Sequence, residues 1–153
     1  MESRSLRIRV VVPDQRLFLL AGDRILRDYP VSTARAGTGF LAGSGKTPTG
    51  RFVIGGKIGA GAARGTVFID RLATDRIGRE EDPGDLIVSR VLWLFGLDPE
   101  NANTRERFIY VHGTNHEAGI GSPVSHGCIR MRSADVIELF DLVEVGTELC
   151  VVG

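Results

Sequence analysis

Cysteine, aromatic residues and any surplus of charge are all scarce in this chain. Its 153 residues hold two cysteines, Cys128 and Cys150, too few for a disulfide framework. Lys+Arg and Asp+Glu each number 19, so the basic excess that nucleic acid or an anionic membrane surface would want is missing. No apolar run reaches the roughly 18 residues of a membrane-spanning helix. Met1 to Ser5 carry neither an apolar signal core nor a small-residue cleavage site, so the chain as written is expected in the cytosol; a removed leader would put it in the periplasm. No repeat or low-complexity tract breaks the chain, and its length suits one domain over 1–153.

Glycine, by contrast, is abundant, with 20 residues concentrated in the first half. Leu6, Ile8, Val10 and Val12 alternate with other residues and predict a half-buried strand. Turns at Pro13–Gln15 and Ala21–Asp23 set off two more strands, Arg16–Ala21 and Arg24–Val31, as an antiparallel meander. Glycine-rich loops, 37–50 and 55–65, flank a short strand Arg51–Ile54, and Val67–Ile69 is a further strand. Arg71–Asp85 has mixed charge and no apolar period, and is expected as a solvated loop. Leu86–Leu97 is apolar and buried, without a period that separates helix from strand. Phe108–Val111 is predicted as a strand delivering His112 to its end. Val136, Leu139, Phe140 and Val143 recur at helical spacing behind Ser133 as N-cap, with Gly146 closing the helix before a last strand, Thr147–Val152. The class is mostly β, with one clear helix near the C-terminus.

The three histidines, His112, His116 and His126, lie close together in sequence and just ahead of Cys128. A thiol at neutral pH needs a base or a cationic neighbour to act as a nucleophile. Gly113, Gly119, Gly121 and Pro123 supply bends that let a strand-end histidine meet a loop cysteine, and Gly127 permits a sharp turn before it. Cys150, between Leu149 and Val151, is expected as a packing residue. Residue types alone leave open catalysis and a zinc site built from His112, His116, His126 and Cys128, although the paired Cys-x-x-Cys of structural zinc is absent. Gly45-Lys46-Thr47 resembles the end of a P-loop, but Phe40 stands where the first glycine belongs and Pro48 blocks the helix, which argues against nucleotide.

The stretch from Val111-His112-Gly113 through Ser125-His126-Gly127-Cys128-Ile129-Arg130-Met131 resembles the signature of the L,D-transpeptidase (YkuD-like) family, and Thr47-Pro48-Thr49-Gly50-Arg51-Phe52 is similar to its Thr-Pro-x-Gly-x-Phe segment. The likeness covers essentially the whole chain. It implies a β-sandwich with a cleft over a catalytic cysteine loop, and no cofactor or metal. It further implies Cys128 as nucleophile, His112 as proton acceptor and donor, and Gly113 as the backbone that orients the imidazole. By the same carry-over His126, Gly127 and Cys128 offer oxyanion donors, Ser125 braces the loop, and Arg130 holds the loop or meets a substrate carboxylate. His116 lies outside the matched part, as a surface or cleft-rim residue. Arg71–Asp85 and Leu86–Leu97 fall where the family places a variable cleft-covering insertion. The implied substrates are peptidoglycan stem tetrapeptides, cleaved before the terminal D-alanine through a thioester that passes to an amine. An L,D-carboxypeptidase acting on recycled muropeptides with water is the alternative, and a zinc-binding structural domain or a non-catalytic peptidoglycan-binding module are readings from other classes.

Overall fold

A computed structural model describes residues 5–153; the leader reading rested on residues 1–4 as well, which lie outside them. The opening meander forms as β1 (Leu6–Val11), β2 (Arg16–Ala21) and β3 (Arg24–Pro30). Its alternation has a cause: Ile8, Val10, Leu17 and Leu19 point to one face and are fully buried, while neighbours between them stay partly or wholly in solvent. The remaining strands are β4 (Gly50–Ile58), β5 (Thr66–Ile69), β6 (Leu72–Ile77), β7 (Ile87–Gly96), β8 (Tyr110–Thr114), β9 (Ile129–Met131) and β10 (Glu148–Val152), with the helix α1 (Ser133–Leu142) between the last two.

All ten strands belong to one hydrogen-bonded network in the order β3-β2-β1-β10-β4-β7-β5-β6, and β8 joins β7 to β9. The network closes on itself where Ser32, just beyond β3, bridges Arg130 of β9. Between the two layers lies one core: Ile8, Leu17, Phe52, Ile54 and Leu149 from one side meet Val111, Ile129 and Met131 from the other. Val136, Leu139 and Phe140 of α1 complete it. The result is the mostly-β, sandwich-like domain with a single α-helix expected from the sequence.

Several local expectations change. β4 runs through the glycine pair, to Ile58, because Phe95 of β7 covers Gly55 where a side chain would stand and a bulge between Ile54 and Gly56 absorbs the misfit. Arg71–Asp85 is not all loop. It contains β6, whose residues are mostly exposed and so carry no apolar alternation; pairing with β5 alone makes it a strand. Leu86–Leu97 is a strand and not a cleft insertion: β7 pairs with β4, β5 and β8 at the centre of the network. His112 stands mid-strand in β8, flanked by Val91 of β7 and Arg130 of β9. Ser133 is the first helical residue and Arg132 the cap position, without a capping side chain of its own. Glu117 fills that role from a distance, its carboxylate accepting the Ser133 N–H at 2.7 Å. The helix ends at Leu142, ahead of Gly146, which shapes the following turn with φ of 98°.

Candidate active site

The loop between β8 and β9 is held from both ends. Gly127 has a φ of 127°, which a side chain strongly disfavours, and the Lys46 carbonyl stands 3.4 Å from where a Cβ would sit. The Ser125 hydroxyl donates to the Cys128 carbonyl at 2.6 Å and accepts the Gly127 N–H at 3.2 Å. Thr47, from the segment first met as a false P-loop, donates its hydroxyl to the Gly127 carbonyl and accepts the Ala34 N–H, both at 2.9 Å. Residues distant in sequence thus clamp the turn that carries the thiol.

Register decides what faces what. In the parallel pair β8–β9, His112 lies beside Arg130 and Val111 beside Ile129. Side chains alternate along a strand, so Val111, Ile129 and Met131 enter the core while Tyr110, His112, Arg130 and Cys128 share the other face. The Cys128 Sγ accepts the Tyr110 N–H at 3.3 Å and lies 3.5 Å from the Phe108 carbonyl. Phe108 is itself held at a φ of 57°, a left-handed conformation unusual for an aromatic residue. Burial pushes the thiol up to about 11; the Asp85 carboxylate adds to this, while the Tyr110 N–H and the Arg130 and Arg107 charges pull it back.

His112 is almost wholly buried, at 1% exposure. Its Nδ1 is 2.6 Å from the Gly113 carbonyl, which can only accept, so Nδ1 carries the hydrogen and Nε2 keeps the lone pair. A side chain on Gly113 would meet the Val88 carbonyl, so glycine is required there. Burial moves the His112 pKa below its ordinary value and Arg130 adds to the fall, against the Gly113 carbonyl and Asp85. Both shifts favour the uncharged forms of thiol and imidazole.

Arg130 is paired with a carboxylate of the chain itself. Its guanidinium donates to Asp85 Oδ2 at 2.6 Å with the side chain only 7% exposed. His126 approaches the same oxygen through Nδ1 at 3.3 Å, with its ring largely in solvent. Asp85 is thus a site-organising residue that reading the sequence assigned to a solvated loop; its position immediately before the apolar run of β7 was the only signal. Arg107 and Tyr110 were likewise missed. Arg107 donates to the Lys46 carbonyl at 2.7 Å and the Gly39 carbonyl at 3.3 Å beside the thiol. The Gly127 N–H, assigned to an oxyanion, is turned onto Ser125, whereas the His126 and Cys128 N–H groups make no hydrogen bond among the described residues.

His116 is half-buried and stays apart from the thiol, its Nε2 bonded to the Asp82 carbonyl at 2.8 Å. Among the described residues no three His, Cys, Asp or Glu side chains converge as a metal-binding set, so the four zinc ligands drawn from spacing are not assembled. Cys150 is not in the core: Leu149 and Val151 are buried, but Cys150 faces the other way and lines an open groove of about 790 Å³ along β1 and β10. That groove holds a thiol and no histidine. The smaller cavity, about 270 Å³, is walled by Phe68, Ile87, Val91, Phe108 and Tyr110 and reaches Cys128.

A family model for the L,D-transpeptidase catalytic domain, YkuD, matches residues 5–152. The chain belongs to the L,D-transpeptidase (YkuD) family. YkuD of Bacillus subtilis (strain 168), which carries an L,D-transpeptidase designation, is 29% identical over 144 residues, covering 94% of this chain and 64% of the relative. The chain therefore spans just under two thirds of that relative's length. YbiS of Escherichia coli (strain K12), with the same designation, is 51% identical over 43 residues, or 28% of this chain and 14% of its own. Solved folds agree: an L,D-transpeptidase from Mycobacterium smegmatis superposes with a TM-score of 0.62 at 20% identity, over 99% of this chain and 60% of its own. L,D-transpeptidase 1 of Mycobacterium tuberculosis does so with 0.59 at 24% identity, over 99% and 63%. Among the described residues no helix is long and apolar enough to cross a membrane.

Proposed function

We propose that this L,D-transpeptidase-family domain carries out cysteine-dependent acyl transfer on peptidoglycan stem tetrapeptides. In this reading Cys128 Sγ attacks the carbonyl before the terminal D-alanine while His112 Nε2 takes the thiol proton. The developing oxyanion is met by the N–H groups of Cys128 and His126. The imidazolium then returns its proton to the departing amine, D-alanine leaves, and a thioester remains on Cys128. A second stem amine resolves it by transpeptidation; water resolves it as an L,D-carboxypeptidase. The compartment follows the acceptor, since wall cross-links belong to the periplasm and recycled muropeptides to the cytosol.

The observation that carries this reading is the shared sheet face of Cys128 and His112, with the His112 Nδ1 held by the Gly113 carbonyl and the thiol opening on a cavity. The M. tuberculosis L,D-transpeptidase 3 structure with a faropenem-derived adduct suggests the probe. Intact-mass spectrometry should find one β-lactam adduct on the wild type and none on Cys128→Ala; an unmodified wild type would refute the nucleophile. Incubation with a tetrapeptide then separates the acceptors, tripeptide alone meaning water and dimers meaning an amine. His112→Ala should slow acylation by about 10²–10⁴-fold, the usual worth of a positioned base, and an unchanged rate would remove His112 from the role.

A further inference from the structure

Three arginines stand around the thiol and its cavity, and two are already occupied. Arg107 is bound to backbone carbonyls, and Arg130 is held by Asp85. The third, Arg71, is the one cationic group in the wall of the cavity that reaches Cys128. Among the described residues it forms no ion pair, not even with Asp70 beside it on the same wall. Its guanidinium lies over the rings of Trp93 and Phe108, with Cζ 4.8 Å and 4.9 Å from their centroids, and one amino group donates to the Tyr110 hydroxyl at 3.0 Å. Stacking engages the faces of a guanidinium and leaves the other edge donors available to a planar anion.

The placement is maintained against local preference. Asp70 and Arg71 form the two-residue turn between β5 and β6, where Ile69 pairs with Leu72, and both take left-handed φ values of 50° and 65°. Such turns are usually made with glycine or asparagine. Here they swing an arginine over the cavity instead.

We infer that Arg71 is the specificity residue for the leaving side of the substrate, binding the terminal carboxylate of the amino acid released when the thioester forms. The inference rests on the acyl-transfer reading above. A carbonyl attacked before the last residue lies one residue from a chain-terminal carboxylate, so both must fit within a cavity of about 270 Å³. A carboxylate entering a cavity walled by Phe68, Ile87, Val91 and Phe108, with the like-charged Asp70 also on its wall, needs a counter-charge, and a fork of guanidinium N–H groups supplies it bidentately. Arg130, the residue first nominated for that task, has its carboxylate already in Asp85.

The test is calorimetric binding to the Cys128→Ser chain of two peptides, a stem tetrapeptide ending in D-alanine and the same peptide with its C-terminus amidated. With Arg71 present the acid should bind about 10- to 100-fold more tightly than the amide, the worth of a charge-assisted hydrogen-bond pair. Arg71→Gln should bring the ratio near one, and Arg71→Lys should keep part of it. Equal binding of acid and amide with Arg71 in place would overturn the assignment, as would failure to bind either peptide or an unaltered ratio in Arg71→Gln. The ratio compares two ligands on one protein, so a general loss of affinity does not imitate it. Release of D-alanine by the chain with Cys128 intact is measured separately: discriminating binding without release would refute acyl transfer and leave Arg71 as a carboxylate site.

Discussion

Asp85→Asn isolates what one carboxylate does for this site. The substitution keeps size and shape but removes the charge that meets the Arg130 guanidinium at 2.6 Å. Arg130 is 7% exposed, and among the described residues its Nε already lacks a hydrogen-bond partner, so the remaining positive charge has little else to turn to. Two unit charges about 4 Å apart interact by roughly 4 kcal/mol at an effective dielectric of about 20. Breaking a buried pair by removing one member typically costs about 3–5 kcal/mol. Asp85 is 27% exposed, so water can enter and solvate part of the orphaned charge; the expected loss is about 2–3 kcal/mol. Urea unfolding at pH 7 measures it, with Arg130→Met and the double variant closing a cycle. A coupling of about 1.5–3 kcal/mol is expected, and a coupling near zero would refute the view that the pair is formed and partly shielded from water. A second readout follows from His112. Asp85 acts to raise the pKa of that imidazole, so its removal lowers it further. In the proposed mechanism acylation needs the neutral ring, and the acid limb of the rate in Asp85→Asn should therefore move to lower pH; a limb displaced upward would contradict the assigned electrostatics.

Thr47→Val keeps the shape of the side chain but strips the Ala34 N–H and the Gly127 carbonyl of their partner, and should cost about 2–4 kcal/mol by denaturant unfolding while slowing acylation; a variant as stable as wild type would show that the clamp is not needed. Stability should also depend on pH at both ends. The unfolded His112 titrates near 6.5 and the folded one lower, so the unfolded chain binds the extra proton first and stability falls as pH drops below about 6.5. For Cys128 the unfolded thiol ionises near 9.0 and the folded one at about 11, so stability falls as pH rises through that window. His112→Gln and Cys128→Ala should each flatten their own limb in thermal melts, and an unaltered limb would refute the cause given.

Strands with one buried face announced themselves. The alternation in β1 and β2 and the helical spacing of Val136, Leu139 and Phe140 follow from burying one side of an element, which is written in neighbouring residues. β6 has no buried face to write, and the length of β4 depended on Phe95 covering Gly55 from another strand. The glycine–lysine run was legible by its elimination as a P-loop and by resemblance as the Thr47-Pro48-x-Gly50 segment; that Thr47 clamps the cysteine loop required the fold.

By itself the sequence determined the class and the single helix, because those depend on short-range periodicity; the cysteine in its glycine turn was legible as a compact motif, and His112 as its partner is what the family resemblance implied. Only tertiary structure decided the electrostatics: Asp85 on Arg130, the Gly127 N–H turned inward, Cys150 facing an open groove, and Arg71 brought over the cavity by a hairpin. Charges find partners through space, and strand register, not sequence distance, sets which of them meet.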